Sequence, residues 1–247
     1  MNASLTIALD VLTDARRNAF FLITVLISIG FVLITSWISL VENNFGGKIY
    51  IELGFCMLWF VHFLFATIYT AESLYSEDDR RSIYFYLSRC VSRQSYILGK
   101  FLGILLVSLL SLIFSGTTFF LCSIYLVGFK IQILYGLYFV FLEISVAIAL
   151  MLLLSRLVSK FLSFFLFVFL IFFTNFLEFI KVSSDLGPLL KNLFIFMPNF
   201  QYYSFVQMVV HSKEISLEYV TFLSAYTIFI CVILVLLSVL QYEHKNI

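Results

Sequence analysis

Six long apolar segments constrain the fold of this chain more than any other feature. They cover about residues 18–41, 49–70, 101–129, 131–154, 161–180 and 219–242. Each approaches or exceeds the roughly 20 apolar residues that a helix needs to cross the hydrocarbon of a bilayer. Backbone amides in lipid must bond within their own segment, and these runs lack the polar alternation of barrel strands. The sequence therefore predicts an all-α, polytopic membrane protein with about six transmembrane helices.

The composition also indicates lipid as the solvent. Of 247 residues, 62% are hydrophobic and 12% are charged, whereas soluble domains have roughly 45–50% apolar and 25% charged residues. The formal net charge is +1, so the chain has no basic surface that would favour nucleic acid. The cysteines, which are Cys56, Cys90, Cys122 and Cys231, lack C-x-x-C spacing. We therefore expect no metal site and no nucleic-acid partner.

The basic residues predict the orientation, because they collect on the cytoplasmic side of membrane proteins. With the N-terminus inside, ten of the fifteen lie in inner loops and tails: Arg16, Arg17, Arg80, Arg81, Arg89, Arg93, Lys100, Arg156, Lys160 and Lys245. The first apolar run is too long for a signal-peptide core, so it is predicted to be a permanent span. We expect a multi-pass protein of a cell (cytoplasmic or inner) membrane with both termini in the cytoplasm.

Three segments outside the spans differ in character, within what we interpret as a single transmembrane domain, residues 1–247. Residues 1–17 place Leu5, Ala8, Leu9 and Leu12 at helical spacing, which predicts a helix on the inner membrane surface, with a frayed tail as the alternative. Residues 181–218 contain both prolines and are too apolar for a solvated loop, which predicts short amphipathic or re-entrant helices at the outer side. Residues 71–100 form a charged cytoplasmic loop.

The cytoplasmic loop runs from acidic to basic residues and carries a recognisable order of motifs. It resembles the loop between spans two and three of ABC-2 type permeases, where an acidic residue and Gly-Thr precede a short helix, Pro-x-Ser-Arg and Gly-Lys. Ser82 falls at the threonine position, and Val91-Ser92-Arg93 and Gly99-Lys100 keep the family order. Arg81 and Cys90 stand where the family usually has glycine and proline.

The resemblance implies that this loop holds the coupling helix that contacts a partner ATPase. Acidic residues at a helix start and basic residues at its end complement the helix dipole, and apolar residues between them suit a partner groove. The alternative is an ordinary positive-inside loop that binds lipid headgroups. The predicted contact residues are Asp79, Ser82, Ile83, Tyr86, Leu87 and Arg93.

The sequence contains no phosphate-binding loop of the form G-x-x-x-x-G-K-[ST]. Both Gly-Lys pairs in the chain lack the following serine or threonine. We therefore expect no catalytic residue and no cofactor in this chain, with ATP and Mg²⁺ bound by a separate ABC ATPase subunit. The resemblance further implies a permease subunit of an exporter that pairs with a second copy or a close relative. The rival hypotheses are an intramembrane enzyme and a membrane scaffold without transport.

Two ionisable residues, His62 and Glu143, lie well inside predicted spans. A charge near the bilayer centre costs several kcal/mol and usually faces a cavity or a partner. Glu143 is interpreted either as a protonated structural residue or as a substrate contact, and His62 as an interior histidine with satisfied hydrogen bonds or as part of the same pathway. Paired carboxylates and an activated nucleophile are missing around them, which makes the enzyme hypothesis weak.

Span three is rich in small and hydroxyl-bearing residues. Such residues let helix backbones approach closely where lipid provides no hydrophobic driving force. We interpret them as a helix-packing face, with a polar lining of a pathway as the alternative. They are Ser108, Ser111, Ser115, Gly116, Thr117 and Thr118.

The orientation is testable by cysteine labelling. In a variant without native cysteines, Ser76→Cys should react with membrane-impermeant maleimide only from the cytoplasm and Ser184→Cys only from outside, because the basic residues favour that arrangement. Measurement in right-side-out and inverted vesicles separates the two sides. Reversed labelling at both positions would overturn the orientation and the cytoplasmic placement of residues 71–100.

Overall fold

The computed structural model describes residues 3–42, 46–79, 92–181, 198–211 and 215–244. Within these ranges the chain is helical and contains no strand, which confirms the all-α class. A 3₁₀ helix covers Phe200–Tyr203. The α-helices are α1 (Ala3–Arg17), α2 (Ala19–Val41), α3 (Gly46–Asp79), α4 (Arg93–Val127), α5 (Ile131–Leu157), α6 (Lys160–Lys181), α7 (Val206–Val210) and α8 (Leu217–His244).

Five helices of the described ranges, α2, α3, α4, α5 and α8, are long and apolar enough to cross a membrane. Helix α6 has 22 residues, and its described apolar stretch, Lys160–Phe172, is shorter than a span. The prediction of a polytopic helical protein is confirmed. The count of six spans stays a prediction.

Helices α3 and α4 extend beyond their apolar segments. Helix α3 has 34 residues and α4 has 35, because neither proline nor glycine interrupts residues 71–79 and the Ser92 hydroxyl caps the start of α4 by accepting from the Ser95 amide. Much of the segment predicted as a loop is therefore helix. Asp79, expected at the start of a separate short helix, is the last residue of α3.

Helix α5 occupies the centre of the bundle. It packs against α3, α4, α6 and α8, and most of its residues between Phe139 and Leu154 are buried. Helices α2 and α8 lie further out and expose large apolar side chains, including Leu26, Trp37 and Phe229. An apolar exterior is expected where the solvent is lipid. Any polar residue in the middle of α5 is therefore an interior residue.

Helix α1 packs along the first turns of α4. Two glycines four residues apart, Gly99 and Gly103, allow the backbones to approach closely. A Cβ atom added at Gly103 would lie 2.7 Å from the Cβ of Val11, and one added at Gly99 would lie 2.7 Å from the Ser4 carbonyl oxygen. Residues with larger side chains at these two positions would push the helices apart. The buried face of α1 consists of Ile7, Ala8, Val11 and Ala15.

The apolar residues of α1 that were predicted to face the membrane are partly buried in the bundle and partly exposed. Ala8 is buried against α4 and Leu12 is partly buried, whereas Leu5 and Leu9 are each 50% exposed. Helix α1 thus has one face for α4 and another apolar face left outside the bundle. That arrangement is compatible with a helix at the membrane surface, and its position relative to lipid stays a prediction.

The contact between α1 and α4 can be tested with a matched pair of glycine substitutions. Gly103→Ala should lower the midpoint of thermal unfolding in detergent, because overpacking costs about 1–3 kcal/mol. Gly30→Ala in α2 is the control, since a Cβ there meets no atom within 4 Å and alanine is a better helix former than glycine by roughly 1 kcal/mol. Equal midpoints for the two variants would show that α1 does not depend on this close approach.

Candidate functional site

A cavity of about 480 Å³ lies between α3, α5, α6 and the segment of residues 198–206. Its walls include Phe55 and Trp59 from α3, Glu143 from α5, and Tyr203 and Phe205 from that segment. Because 3.6 residues make one helical turn, residues 55 and 59 lie on the same side of α3. The cavity therefore combines one carboxyl group with several aromatic side chains.

Helix α8 holds the segment of residues 198–206 in place. The backbone N–H of Asn199 donates to the Tyr226 hydroxyl at 3.0 Å, and the Tyr203 hydroxyl donates to the Thr227 hydroxyl at 2.7 Å. The Thr227 hydroxyl donates its single hydrogen to the Leu223 carbonyl oxygen of α8, so in the bond between the two hydroxyls Tyr203 is the donor. Burial raises the pKa of the Tyr203 phenol above its ordinary value, so Tyr203 stays neutral beside the cavity.

Only part of the outer segment predicted between spans five and six lies within the described residues. There the chain forms the short 3₁₀ helix after Pro198 and then the five-residue helix α7. Phe200, Tyr203 and Phe205 are buried, so this stretch packs among the helices. Residues 182–197, which include Pro188, lie outside the described ranges.

Glu143 is the acidic residue in the wall of this cavity. It is 7% exposed, and Trp59 lines the cavity together with it. Among the described residues, the ion pair is between Lys160 and Glu72, and no lysine or arginine pairs with Glu143. A carboxylate in such surroundings is costly unless a cation or several donors compensate its charge.

Aromatic rings form much of the remaining wall. The Phe55 and Phe205 rings meet edge to face with centroids 5.1 Å apart, a favourable arrangement for aromatic pairs. Gly136 of α5 allows this contact, because an added Cβ would lie 2.6 Å from Phe55 and 2.7 Å from Phe205. The cavity is therefore built by close packing around a glycine, with its rings held in position.

His62 lies elsewhere in the bundle. Its ring is fully buried, with Nδ1 2.8 Å from the Leu58 carbonyl oxygen and Nε2 2.9 Å from the Ser115 hydroxyl. Because a carbonyl only accepts, Nδ1 carries the proton of a neutral ring, and Nε2 then accepts from the Ser115 hydroxyl, whose other acceptor is the Ser111 carbonyl of its own helix. His62 thus joins α3 to α4 and does not line the cavity that Glu143 lines. The structure does not bring the two predicted pathway residues into one site.

The small and hydroxyl-bearing residues of span three, which lie on α4, fall into a buried set and an exposed set. Ser108, Ser111 and Ser115 are buried, whereas the exposed Thr117 and Thr118 hydroxyls bond the Phe114 carbonyl of their own helix. The buried serines face neighbouring helices of this chain. This geometry favours the helix-packing interpretation over a polar lining.

The predicted coupling residues are only partly within the described ranges. Ser82, Ile83, Tyr86 and Leu87 lie outside them. Arg93 is the first residue of α4, where its guanidinium donates to the Tyr242 carbonyl oxygen at 3.0 Å and lies 6.0 Å from the Tyr242 ring centre. Arg93 therefore connects the start of α4 to the end of α8.

A comparison with protein families decides the class of this protein. The family model for "ABC-2 family transporter protein" matches residues 55–245, which is most of the chain. The chain belongs to the ABC-2 transporter family. It is thus a multi-pass membrane permease of an ABC transporter, as the resemblance of the cytoplasmic loop implied. No curated protein matches the permease significantly.

Sequence reasoning identified Glu143 but not the residues around it. Trp59 and Tyr203 come from segments about 84 and 60 positions away in the chain, and hydropathy does not indicate which faces of helices meet. Pro198-Asn199 offered a local signal, because proline followed by a capping residue is typical of a turn or a helix start. That signal predicts the 3₁₀ helix, but not that it packs against Glu143.

The bond between His62 and Ser115 can be tested separately from the cavity. Ser115→Ala should lower the unfolding midpoint in detergent, because a buried ring nitrogen without a donor costs about 1–3 kcal/mol. Thr117→Ala is the control, since it removes an exposed hydroxyl that bonds only its own helix. An unchanged midpoint for Ser115→Ala would mean that the joint between α3 and α4 does not rely on this bond.

Proposed function

We propose that this permease is the membrane-spanning subunit of an ATP-driven exporter of a cell (cytoplasmic or inner) membrane, working as a dimer with a separate ATPase bound to each copy. The observation that carries the proposal is the membership of the ABC-2 family, joined to the position of residues 80–91 between two long helices. The chain lacks a phosphate-binding loop of its own. ATP and Mg²⁺ are therefore assigned to the partner ATPase. Both termini are assigned to the cytoplasm because of the distribution of basic residues.

Helix α3 supplies a mechanical connection between the ATPase side and the cavity. It runs without interruption from Gly46 to Asp79 and carries Phe55 and Trp59 in the cavity wall. At 1.5 Å per residue, Trp59 lies about 30 Å from the end of the helix at Asp79. A displacement applied to residues 80–91 is therefore transmitted along a helix to the wall of the cavity.

The cytoplasmic part of α3 is also bonded to α5 and α6. The Tyr75 hydroxyl lies 2.8 Å from the Ser155 carbonyl oxygen and 2.5 Å from that of Val158, at the end of the helix that carries Glu143. Glu72 forms an ion pair with Lys160 at the start of α6. These bonds support a movement of α3 that carries its neighbours with it.

The start of α4, which follows residues 80–91 in the chain, is bonded to two neighbouring helices. The Lys100 ammonium is buried and donates to the Ser73 hydroxyl of α3 at 3.1 Å, while Arg93 bonds α8. Residues 80–91 thus lie between two helices that are tied to each other and to α8. This supports their assignment as the coupling segment, with Asp79, Ser82, Ile83, Tyr86, Leu87 and Arg93 as its predicted contacts.

The packing of α5 supports a dimer. Because α5 fills the centre of the described bundle, a sizeable substrate needs a route at the periphery, where two copies or close relatives meet. Closed oligomers of this kind are most often two-fold dimers. ATP binding would move the coupling segments and shift the population between states that open to opposite sides.

The rival functions have less support. An intramembrane enzyme would need His62 and Glu143 in one site, whereas both ring nitrogens of His62 bond partners away from the cavity. A scaffold would need neither an ATPase nor a substrate site. Recovery of an ATPase with the purified permease, and a change in ATPase rate on reconstitution, distinguishes transport from a scaffold.

A double substitution in residues 80–91 tests the coupling assignment. On the coupling helix that the resemblance implies, Ile83→Asp with Leu87→Asp would place two charges side by side on a face that contacts an apolar groove, which should weaken docking by several kcal/mol. We expect normal membrane insertion with loss of ATPase co-purification and of transport.

A charge-matched control uses the neighbouring cytoplasmic turn. Ser159→Asp with Phe161→Asp adds the same charge at two exposed positions, one in the turn before α6 and one in its first turn, and should leave co-purification intact. A coupling variant that recruits its ATPase and transports at the wild-type rate would remove residues 80–91 from the mechanism.

A further inference from the structure

The cavity beside Glu143 has a chemistry that coupling to an ATPase does not explain. We propose that it binds a hydrophobic organic monocation, an amine or quaternary ammonium compound, with Glu143 as the counter-charge. This inference deepens the proposed transport function by naming its substrate class, and it rests on that function for the step from binding to export. The observations behind it are the charge, the aromatic wall and the size of the cavity.

The charge argument starts from the hydrogen-bonding capacity of a carboxylate. An ionised carboxylate accepts about four hydrogen bonds, whereas Glu143 is 7% exposed and therefore has little contact with solvent. No lysine or arginine of the described ranges pairs with it. A bound cation supplies the compensating charge that the described part of the chain does not, so binding and ionisation of Glu143 favour each other.

The aromatic wall selects the kind of cation. Ring faces attract cations, and the attraction is largest for weakly hydrated, desolvated ones such as quaternary ammonium groups. Trp59, Tyr203, Phe55 and Phe205 surround the same space as Glu143. A metal ion needs several oxygen, nitrogen or sulfur ligands, and in the described residues no group of three His, Cys, Asp or Glu residues is close enough to hold one. The wall therefore favours an organic cation with an apolar body.

The size and the single acid set the remaining limits. A volume of about 480 Å³ falls within the roughly 300–1,000 Å³ of small-molecule pockets. One carboxyl group compensates one charge, so a monocation fits better than a polyamine. Glu52 lies about one turn before Phe55 on α3, but it is exposed and does not line the cavity.

The chain contains a built-in reporter for this site. It has two tryptophans: Trp59 lines the cavity, and Trp37 is 72% exposed on α2. In a Trp37→Phe variant, all tryptophan fluorescence comes from the cavity wall. The purified variant in detergent is titrated with benzyltrimethylammonium and with neopentylbenzene, its neutral carbon isostere, each corrected for partition into empty micelles. We expect saturable binding, with the cation at least tenfold tighter than the isostere.

Two further variants in the same background assign the preference to Glu143. Glu143→Gln keeps the shape of the side chain and removes its charge, so the cation should lose its tenfold advantage while the isostere binds as before. Glu52→Gln, the control for surface charge, should keep the advantage. Unaltered binding of the isostere to Glu143→Gln also verifies that the variant is folded.

Two results would overturn the proposal: equal affinity of Trp37→Phe for the two probes, or an undiminished cation preference after Glu143→Gln. If Glu143→Gln does not fold, the comparison of probes in the Trp37→Phe protein still decides. The titration uses no ATPase. Cation-selective binding without ATPase recruitment would therefore refute the transport function alone, and ATPase recruitment without cation selectivity would refute this inference alone.

Discussion

Lipid offers no hydrogen bonds to a polypeptide backbone and little hydrophobic drive between helices, and the rest of this structure follows from that constraint. The backbone must become helical within each span, so cohesion has to come from close approach and a few polar bonds. The permease uses both means. At Gly99, Gly103 and Gly136, neighbouring groups occupy the space that a Cβ atom would need, and the His62–Ser115 pair joins α3 to α4 without exposing a polar atom to lipid.

The same constraint explains which parts of the fold the sequence predicted. Apolar length alone predicts helices, and each of the six apolar segments lies largely within one described helix. The sequence signal ends where hydropathy ends, and the helices do not. Helix α3 continues to Asp79 because its backbone bonds do not depend on the solvent and Tyr75 finds carbonyl partners at the end of α5. A hydropathy profile contains neither fact, which is why residues 71–79 were predicted as a loop.

The candidate site was predicted only in part for a related reason. The free-energy cost of placing an ionisable side chain in lipid indicates that Glu143 and His62 need partners, but it does not indicate which partners. The structure separates them: both ring nitrogens of His62 have hydrogen-bond partners between two helices, whereas Glu143 lines an aromatic cavity. The difference depends on the rotation of α3 and on the entry of residues 198–206 into the bundle, which are matters of tertiary packing such as the close approach of Phe55 and Phe205 to Gly136.

Because α3 forms part of the cavity wall and also leads to residues 80–91, the two proposed binding events share one structural element. A ligand shifts a conformational equilibrium only by the difference in its affinity for the two states. A cation at Glu143 can therefore favour one position of α3 only if Phe55 and Trp59 stand differently around the ligand in each position. Linkage is reciprocal for binding, so an ATPase that holds the coupling segment in one position must change the affinity of the cavity by the same factor. Tight packing of α3 against α5 favours two discrete arrangements over a gradual deformation, and that is the property that coupled transport requires of the wall of its substrate site.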